Sequence, residues 1–311
     1  MVVGSGRLVV TGATGFIGSR LVNCALSRGY EVLALARDPD RVSAIKGSGL
    51  RVEKWSIGDP LPAVDQSDAI LHLAAYIPAD LSDVRQAAKC FEINTNGALQ
   101  IVMDAASQGV KRFVYFGSAQ VYAPSPHRAT ETSPAFPVHR ASYYLASKLS
   151  AEICLIAFGR ANAMPVTVLR LASVYGPGMH GTGMVPTFVR TLGSGRSLII
   201  RDGGQYSVDL VFVDDVASLA LEAVGKGADG VFNAGSGHAC TSLEAAQIVA
   251  NVVGASQDLI TVEGGSDDAA ARGFSSLDVA KAARQLDYKP LSFREGIETW
   301  KAMTGPMEFQ G

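Results

Sequence analysis

The chain has 311 residues, 48% of them hydrophobic and 18% charged, with 33 glycines and a formal net charge of −2. That length holds one large α/β domain with a smaller second lobe, and the composition is that of a turn-rich globular protein, which excludes a disordered or fibrous chain. Lysines and arginines are scattered, which excludes the broad basic footprint of a nucleic-acid binder or a membrane-surface protein and leaves small-molecule chemistry.

From Arg7 to about Ala172, short apolar runs rich in β-branched residues alternate with helical patterns. Strands are predicted over Leu8 to Thr11, Val32 to Ala36, Ala69 to Ala74, Phe113 to Phe116 and Val166 to Leu171, with a third strand region ahead of Ser56. Helices are predicted over Phe16 to Arg28, Val84 to Gln108 and Tyr144 to Phe158, none of them interrupted by proline. This order predicts an α/β fold, a Rossmann-like doubly wound parallel sheet whose right-handed crossovers put helices on both faces. Tyr175 to Gly183 is rich in glycine and proline, and the elements beyond it are shorter. We therefore expect residues 1–174 to bind a dinucleotide and residues 175–311 to form mainly a substrate-binding α/β lobe. The segment 209–236, a strand running into a helix, is expected to return to the first lobe.

The first strand runs straight into Thr11-Gly12-Ala13-Thr14-Gly15-Phe16-Ile17-Gly18 and then a helix. Gly12 suits a tight turn, Gly15 lets a pyrophosphate approach the backbone, and Gly18 permits close helix–strand packing, while the helix N-terminus favours the anion. Thr14, Phe16 and Ile17 fall within the same candidate contact surface. Asp59 is a candidate partner for an adenine amino group or an ordinary loop aspartate. Leu73, Ala74 and Ala75 end the fourth strand with small residues past which a cofactor can lie. His72 beside them reads as a packed residue rather than a catalyst. Where a carboxylate for the adenine ribose is expected, at the end of the second strand, the chain has Arg37-Asp38. A guanidinium there pairs with a 2′-phosphate, so Arg37 leans the expectation from NAD toward NADP.

Tyr144 and Lys148 are four residues apart and so share one helical face, and Tyr143 has no such partner. An ammonium beside a phenol, with a positive nicotinamide nearby, favours phenolate and draws the tyrosine toward the range useful for proton transfer. Ser118, just past the fifth strand, offers a hydroxyl to a reacting oxygen, or simply closes a turn.

The motifs GATGFIG, HLAA, Asn94 in EINTNG, GSAQVY, YLASK followed by Glu152, and LRLASVYGPG occur in the order of a known family. Together with VDLVFVDDVA and SSLDVAKAARQLDYKP, they make nearly the whole chain resemble the NAD-dependent epimerase/dehydratase family of extended short-chain dehydrogenase/reductases, the relatives of UDP-galactose 4-epimerase. The resemblance implies Tyr144 as general acid/base, Lys148 as its modulator and a ribose contact, Ser118 as substrate anchor and Asn94 as support. It also implies substrate contacts near Gln120 and Ser173, a homodimer built on the helices carrying Asn94 and Tyr144, and chemistry that needs no metal.

Departures from the family divide the expectations. Ala119-Gln120 stands where sugar-nucleotide dehydratases carry an acidic pair, which argues against a 4,6-dehydratase. Val208 stands where an arginine often holds a diphosphate, and Arg190, Arg196 and Arg272 are either substitutes or solvated surface residues. The leading expectation is a nucleotide-sugar 4-epimerase with a retained cofactor; the alternatives are an NADPH-dependent reductase of a keto-sugar nucleotide or other carbonyl compound, and a silent dinucleotide-binding regulator. Four separated cysteines fit neither a CxxC pair nor zinc spacing. No signal peptide or membrane span is recognised, so a cytoplasmic location is expected.

Overall fold

The first strand, β1 (Arg7–Thr11), is closed to water at every position after its first. That pattern belongs to a parallel sheet covered on both faces. In the computed structural model, residues 6–42, 47–64, 67–81, 83–136, 142–179, 183–265 and 276–310 are described. After β1 the chain forms α1 (Phe16–Ser27), β2 (Glu31–Ala36), β3 (Leu50–Lys54), β4 (Ala69–His72), α2 (Ala87–Cys90), α3 (Ala98–Ser107), β5 (Phe113–Ser118), α4 (Tyr143–Asn162) and β6 (Val166–Leu171). It continues through β7 (Ser173–Tyr175), α5 (Met184–Gly193), β8 (Leu198–Ile200), β9 (Ser207–Phe212), α6 (Val213–Gly225) and β10 (Gly230–Ala234). The last elements are β11 (Ala239–Thr241), α7 (Ser242–Val253), β12 (Ile260–Val262), α8 (Ala280–Leu286) and α9 (Phe293–Gln310).

Seven strands form one sheet in the order β3-β2-β1-β4-β5-β6-β10, and every pairing in it is parallel. This is the doubly wound Rossmann-like arrangement. Its strand order reverses between β1 and β4, and ligands of such sheets bind in the crevice at the carboxyl ends of those strands. One apolar core joins the sheet to α1, α6 and α8, and another joins it to α3 and α4. A third, around Phe188, Phe212, Phe293 and Trp300, holds α5, α7 and α9 together with β8 and β9.

Two elements differ from the sequence expectation. The strand predicted over Ala69 to Ala74 stops at His72, because the Ala74 N–H turns to the Thr11 hydroxyl, 3.2 Å away. The single helix predicted over Val84 to Gln108 is instead a short turn, α2, a π-helical segment over Phe91–Gly97 and then α3. A π segment holds an extra residue per turn and so turns side chains that an α-helix would aim elsewhere.

Beyond β7 the chain leaves the main sheet and comes back. Strand β9 pairs with β7 and β11 in a separate three-stranded sheet, α6 packs on α1, and β10 pairs with β6 at the edge of the main sheet. Arg20 on α1 grips Asp214 on α6 with two bonds of 2.8 and 2.6 Å. Asp209, fully buried on β9, accepts from the Ser236 N–H and hydroxyl and from the N–H groups of Gly237 and Leu277. A buried carboxylate needs such donors, and these four tie two later segments to one residue.

Candidate active site

The turn after β1 depends on the absence of side chains. Gly12 has φ +71°, and a Cβ there would stand 2.7 Å from the Ala74 nitrogen. A Cβ on Gly18 would overlap the Gly12 carbonyl oxygen. Gly15 lies exposed at the tip, with Thr14, Phe16 and Ile17 half-buried around it. Helix α1 opens there with no side-chain cap and no acidic residue in its first turn. Its first N–H groups and the positive end of its dipole are therefore available to an anion, which fits the pyrophosphate of a dinucleotide. Leu73, Ala74 and Ala75 are half-buried beside this turn. Arg37 is exposed just past the end of β2, and the Asp38 carbonyl accepts from the Arg41 N–H to close the turn that follows. Asp59 is exposed, and its carboxylate accepts from the Ser56 N–H at 2.9 Å, so part of its work is to close its own loop.

Helix α4 starts at Tyr143 because the Ser142 hydroxyl caps it, accepting from the Leu145 N–H at 3.2 Å. That start puts Tyr144 in the first turn and Lys148 one turn on, and the helix packs against β5 and the turn after it. Ser118 ends β5, half-buried, and its hydroxyl oxygen accepts from the Gln120 N–H at 3.2 Å. Among the described residues no acceptor takes its own hydrogen. Asn94, in the π-helical segment, brackets Tyr76: its carbonyl oxygen accepts from the Tyr76 N–H at 2.7 Å, and its amide donates to the Tyr76 carbonyl at 2.9 Å. The same amide donates to the Ser147 hydroxyl at 3.0 Å, while the Thr95 hydroxyl donates to the Ser147 carbonyl at 2.9 Å. Asn94 thus fastens the backbone after Ala75 to the helix that carries Tyr144.

Burial governs the charges. Lys148 is pushed down to about 7 by desolvation, opposed by Glu152. Tyr144 is pushed up to about 12 by burial, with Cys90 adding to the rise. The sequence predicted a phenol drawn downward by its lysine with a positive nicotinamide nearby; in the protein alone desolvation dominates at both groups, raising the phenol and lowering the ammonium. His72 is pushed down to about 3 by burial and by Lys148, so it is neutral, stacked on Tyr115 and tilted against Phe113, with Nδ1 2.8 Å from the Thr11 hydroxyl.

A family model described as the NAD dependent epimerase/dehydratase family matches residues 8–235. The chain belongs to that family. It is 34% identical over 80% of its length to the UDP-glucose 4-epimerase of Mycolicibacterium smegmatis, 83% of which is covered. It is 30% identical over 91% of its length to a dTDP-glucose 4,6-dehydratase of Streptomyces griseus, 89% of which is covered. Among solved structures, the UDP-glucose 4-epimerase of Thermotoga maritima with UDP-glucose matches at a TM-score of 0.80 and 27% identity, covering 94% of this chain and 97% of that one. The dTDP-glucose 4,6-dehydratase of Streptomyces venezuelae with NAD bound matches at 0.79 and 28%, covering 96% and 97%.

This epimerase/dehydratase-family chain keeps its own features around the crevice. Ala119 is fully buried and Gln120 exposed, so no carboxylate follows Ser118. Ser173 begins β7, half-buried and paired in register with Leu210. Val208 is buried in the apolar core of α5, α7 and α9, with no cation in its place. Arg190 is half-buried on α5, and Arg196 is exposed, donating to the Ser194 hydroxyl; Arg272 lies outside the described residues. A separate crevice of about 420 Å³ is lined by Arg7, Glu31, Leu50 and Ser67, at the amino-terminal end of the strands. It lies at the opposite end of β1 from the glycine turn, and we assign the chemistry to the carboxyl end. Sequence reasoning passed over Thr11, Tyr115 and Ser147, which contact functional groups from inside motifs. Only the hydroxyl types at Thr11 and Ser147, buried in apolar runs, could have signalled them.

Proposed function

We propose that the chain is a cytoplasmic nucleotide-sugar 4-epimerase with a retained NAD(P), in which Tyr144 is the general acid/base, Lys148 its modulator and a ribose contact, and Ser118 the anchor of the reacting hydroxyl. What supports the reading is the packing of α4, which bears Tyr144 and Lys148, against β5, which Ser118 ends, at the same carboxyl edge where the uncapped α1 and its glycine turn open. The residues present fit a dinucleotide, whose nicotinamide supplies reversible hydride acceptance. With a dinucleotide bound to accept hydride from C4, Tyr144 would take the proton of the sugar 4-hydroxyl, its phenolate favoured by Lys148 and the positive nicotinamide against the burial that raises it in the protein alone. Ser118 donates its hydroxyl hydrogen to that oxygen. In the return half of the reaction Tyr144 would give the proton back to that oxygen, so that the sugar would be epimerised at C4 with no net oxidation. Arg37 at the end of β2 supports acceptance of a 2′-phosphate. Gln120 and Ser173 are read as substrate contacts, within a substrate lobe formed mainly by residues 175–311.

A second reading, an NADPH-dependent reductase of a keto-sugar nucleotide or other carbonyl compound, is favoured by one observation: Val208 is a core side chain where a diphosphate-holding arginine would serve a nucleotide sugar. The two separate on what the purified protein releases when denatured. Near-stoichiometric dinucleotide, together with conversion of UDP-glucose to its C4 epimer, supports the epimerase. An empty site and net consumption of NADPH on a carbonyl substrate support the reductase. In either case Tyr144→Phe is expected to lower turnover by about 10²–10⁴-fold while dinucleotide binding persists.

A further inference from the structure

Lys148 rests on an aromatic ring that the proposed chemistry does not use. Tyr115, the third residue of β5, is 1% exposed, and the Lys148 Nζ lies 4.2 Å from its ring centroid. On β4, His72 stacks on the same ring at 6.0 Å and is neutral. On α4, Glu152 follows Lys148 by one turn, but both of its carboxylate oxygens accept from Arg170 on β6. Tyr144 precedes it by one turn, with Cys90 of α2 beside the phenol. Among the described residues no carboxylate is therefore left over as a dedicated partner for the buried ammonium.

The Tyr115 hydroxyl, buried, has no hydrogen-bond partner among the described residues. A residue whose polar end is unsatisfied contributes through its ring, and a ring face is electron-rich. A desolvated ammonium over such a face is attracted most strongly where water does not compete. We propose that Tyr115 is a positioning residue for Lys148, its ring face seating the buried ammonium beside Tyr144 while its hydroxyl takes no part. The inference rests on Lys148 acting in the proposed reaction.

Full-length protein carrying Tyr115→Phe, and protein carrying 3,4,5-trifluorophenylalanine at the same position, test it. The fluorinated ring keeps nearly the same shape and loses the electron density of its face. Titration of Lys148 is followed by NMR on lysine labelled with ¹³C at Cε, its resonance assigned by its disappearance in Lys148→Met. The Tyr115→Phe protein is expected to titrate with the unaltered protein, and the fluorinated ring to move the midpoint down by about one pH unit. Between the Phe and trifluoro forms, kcat falls and KM for the sugar nucleotide holds. Superimposable titrations of those two forms overturn the proposal, as does a midpoint already displaced by Tyr115→Phe, which would assign the effect to the hydroxyl. Retained turnover in Lys148→Met strikes instead at the role of Lys148, and the titrations read the ring contact independently of it.

Discussion

A lysine held near neutrality inside a protein leaves a signature in stability as well as in catalysis. Burial pushes Lys148 down to about 7 from its ordinary 10.5. Below pH 7 it is charged in both folded and unfolded chains, and the buried charge weighs fully against the fold. Between pH 7 and 10.5 the unfolded chain binds the extra proton, so stability attributable to this residue rises with pH and the penalty is gone above that range. Lys148→Met is therefore expected to stabilise the fold at pH 6 by an amount on the order of a few kcal/mol, read as a higher melting temperature, and to stabilise it progressively less toward pH 10. A gain that is flat across pH would refute the assignment. At this scale the placement of the candidate residues was legible, since Tyr144 and Lys148 do lie one turn apart on a single helix and Ser118 at the end of β5, while their choice as a site came from the family resemblance. The charge states did not follow, because they depend on how completely the fold excludes water from Lys148 and Tyr144, and on Glu152 being engaged by Arg170.

At the level of elements, the glycine turn separates two demands that one motif merges. Gly18 is needed for packing, since any Cβ there meets the Gly12 carbonyl oxygen of the turn itself, which is backbone and cannot swing aside. Gly15 has φ −77° and ψ 168°, open to any residue, and its Cβ would make only a tight 3.2 Å contact with the same oxygen. Gly18→Ala is accordingly expected to destabilise the fold by about 1–3 kcal/mol. Gly15→Ala is expected to melt close to the unaltered protein yet release less dinucleotide on denaturation, because its methyl group occupies the anion's approach. Thermal melts and measured dinucleotide content distinguish the two, and equal melting temperatures would count against the packing role of Gly18. The buried strands of the parallel sheet were readable as apolar runs because both their faces are covered, with β6 found over the residues predicted. The edge strand β3 was less readable: Arg51, Glu53 and Lys54 interrupt its apolar run. The π segment over Phe91–Gly97 leaves no mark in residue type, although it is what turns Asn94 and Thr95 together toward Ser147. Asp209 looked like a strand residue, and nothing local announced that four donors from later in the chain would converge on it.

For the whole molecule, the same helix that carries Tyr144 and Lys148 on its buried side presents a different face to solvent. Ile153 is 61% exposed on α4 and Met103 46% exposed on α3, the helix packed beside it. Apolar side chains left in water on two packed helices are favoured to be covered, and a twofold axis through such a pair would build a four-helix interface from two copies of one surface. We propose that the protein is a homodimer through this surface. Neither side chain touches Tyr144, Lys148 or Ser118 in the described contacts, so the pairing can be removed without disturbing the chemistry directly. Met103→Glu with Ile153→Glu places two carboxylates per chain, four per pair, in an interface that must exclude water, where each unpaired charge is strongly disfavoured. Sedimentation equilibrium is expected to give twice the chain mass for the unaltered protein and the chain mass for the double variant, with circular dichroism unchanged. A chain mass for the unaltered protein at micromolar concentration, or an undiminished dimer in the double variant, would place the contact elsewhere or remove it. If dissociation also lowers turnover while dinucleotide content holds, α4 depends on its partner for the rigidity that keeps Tyr144 against the end of β5, and the dimer is part of the active site's support.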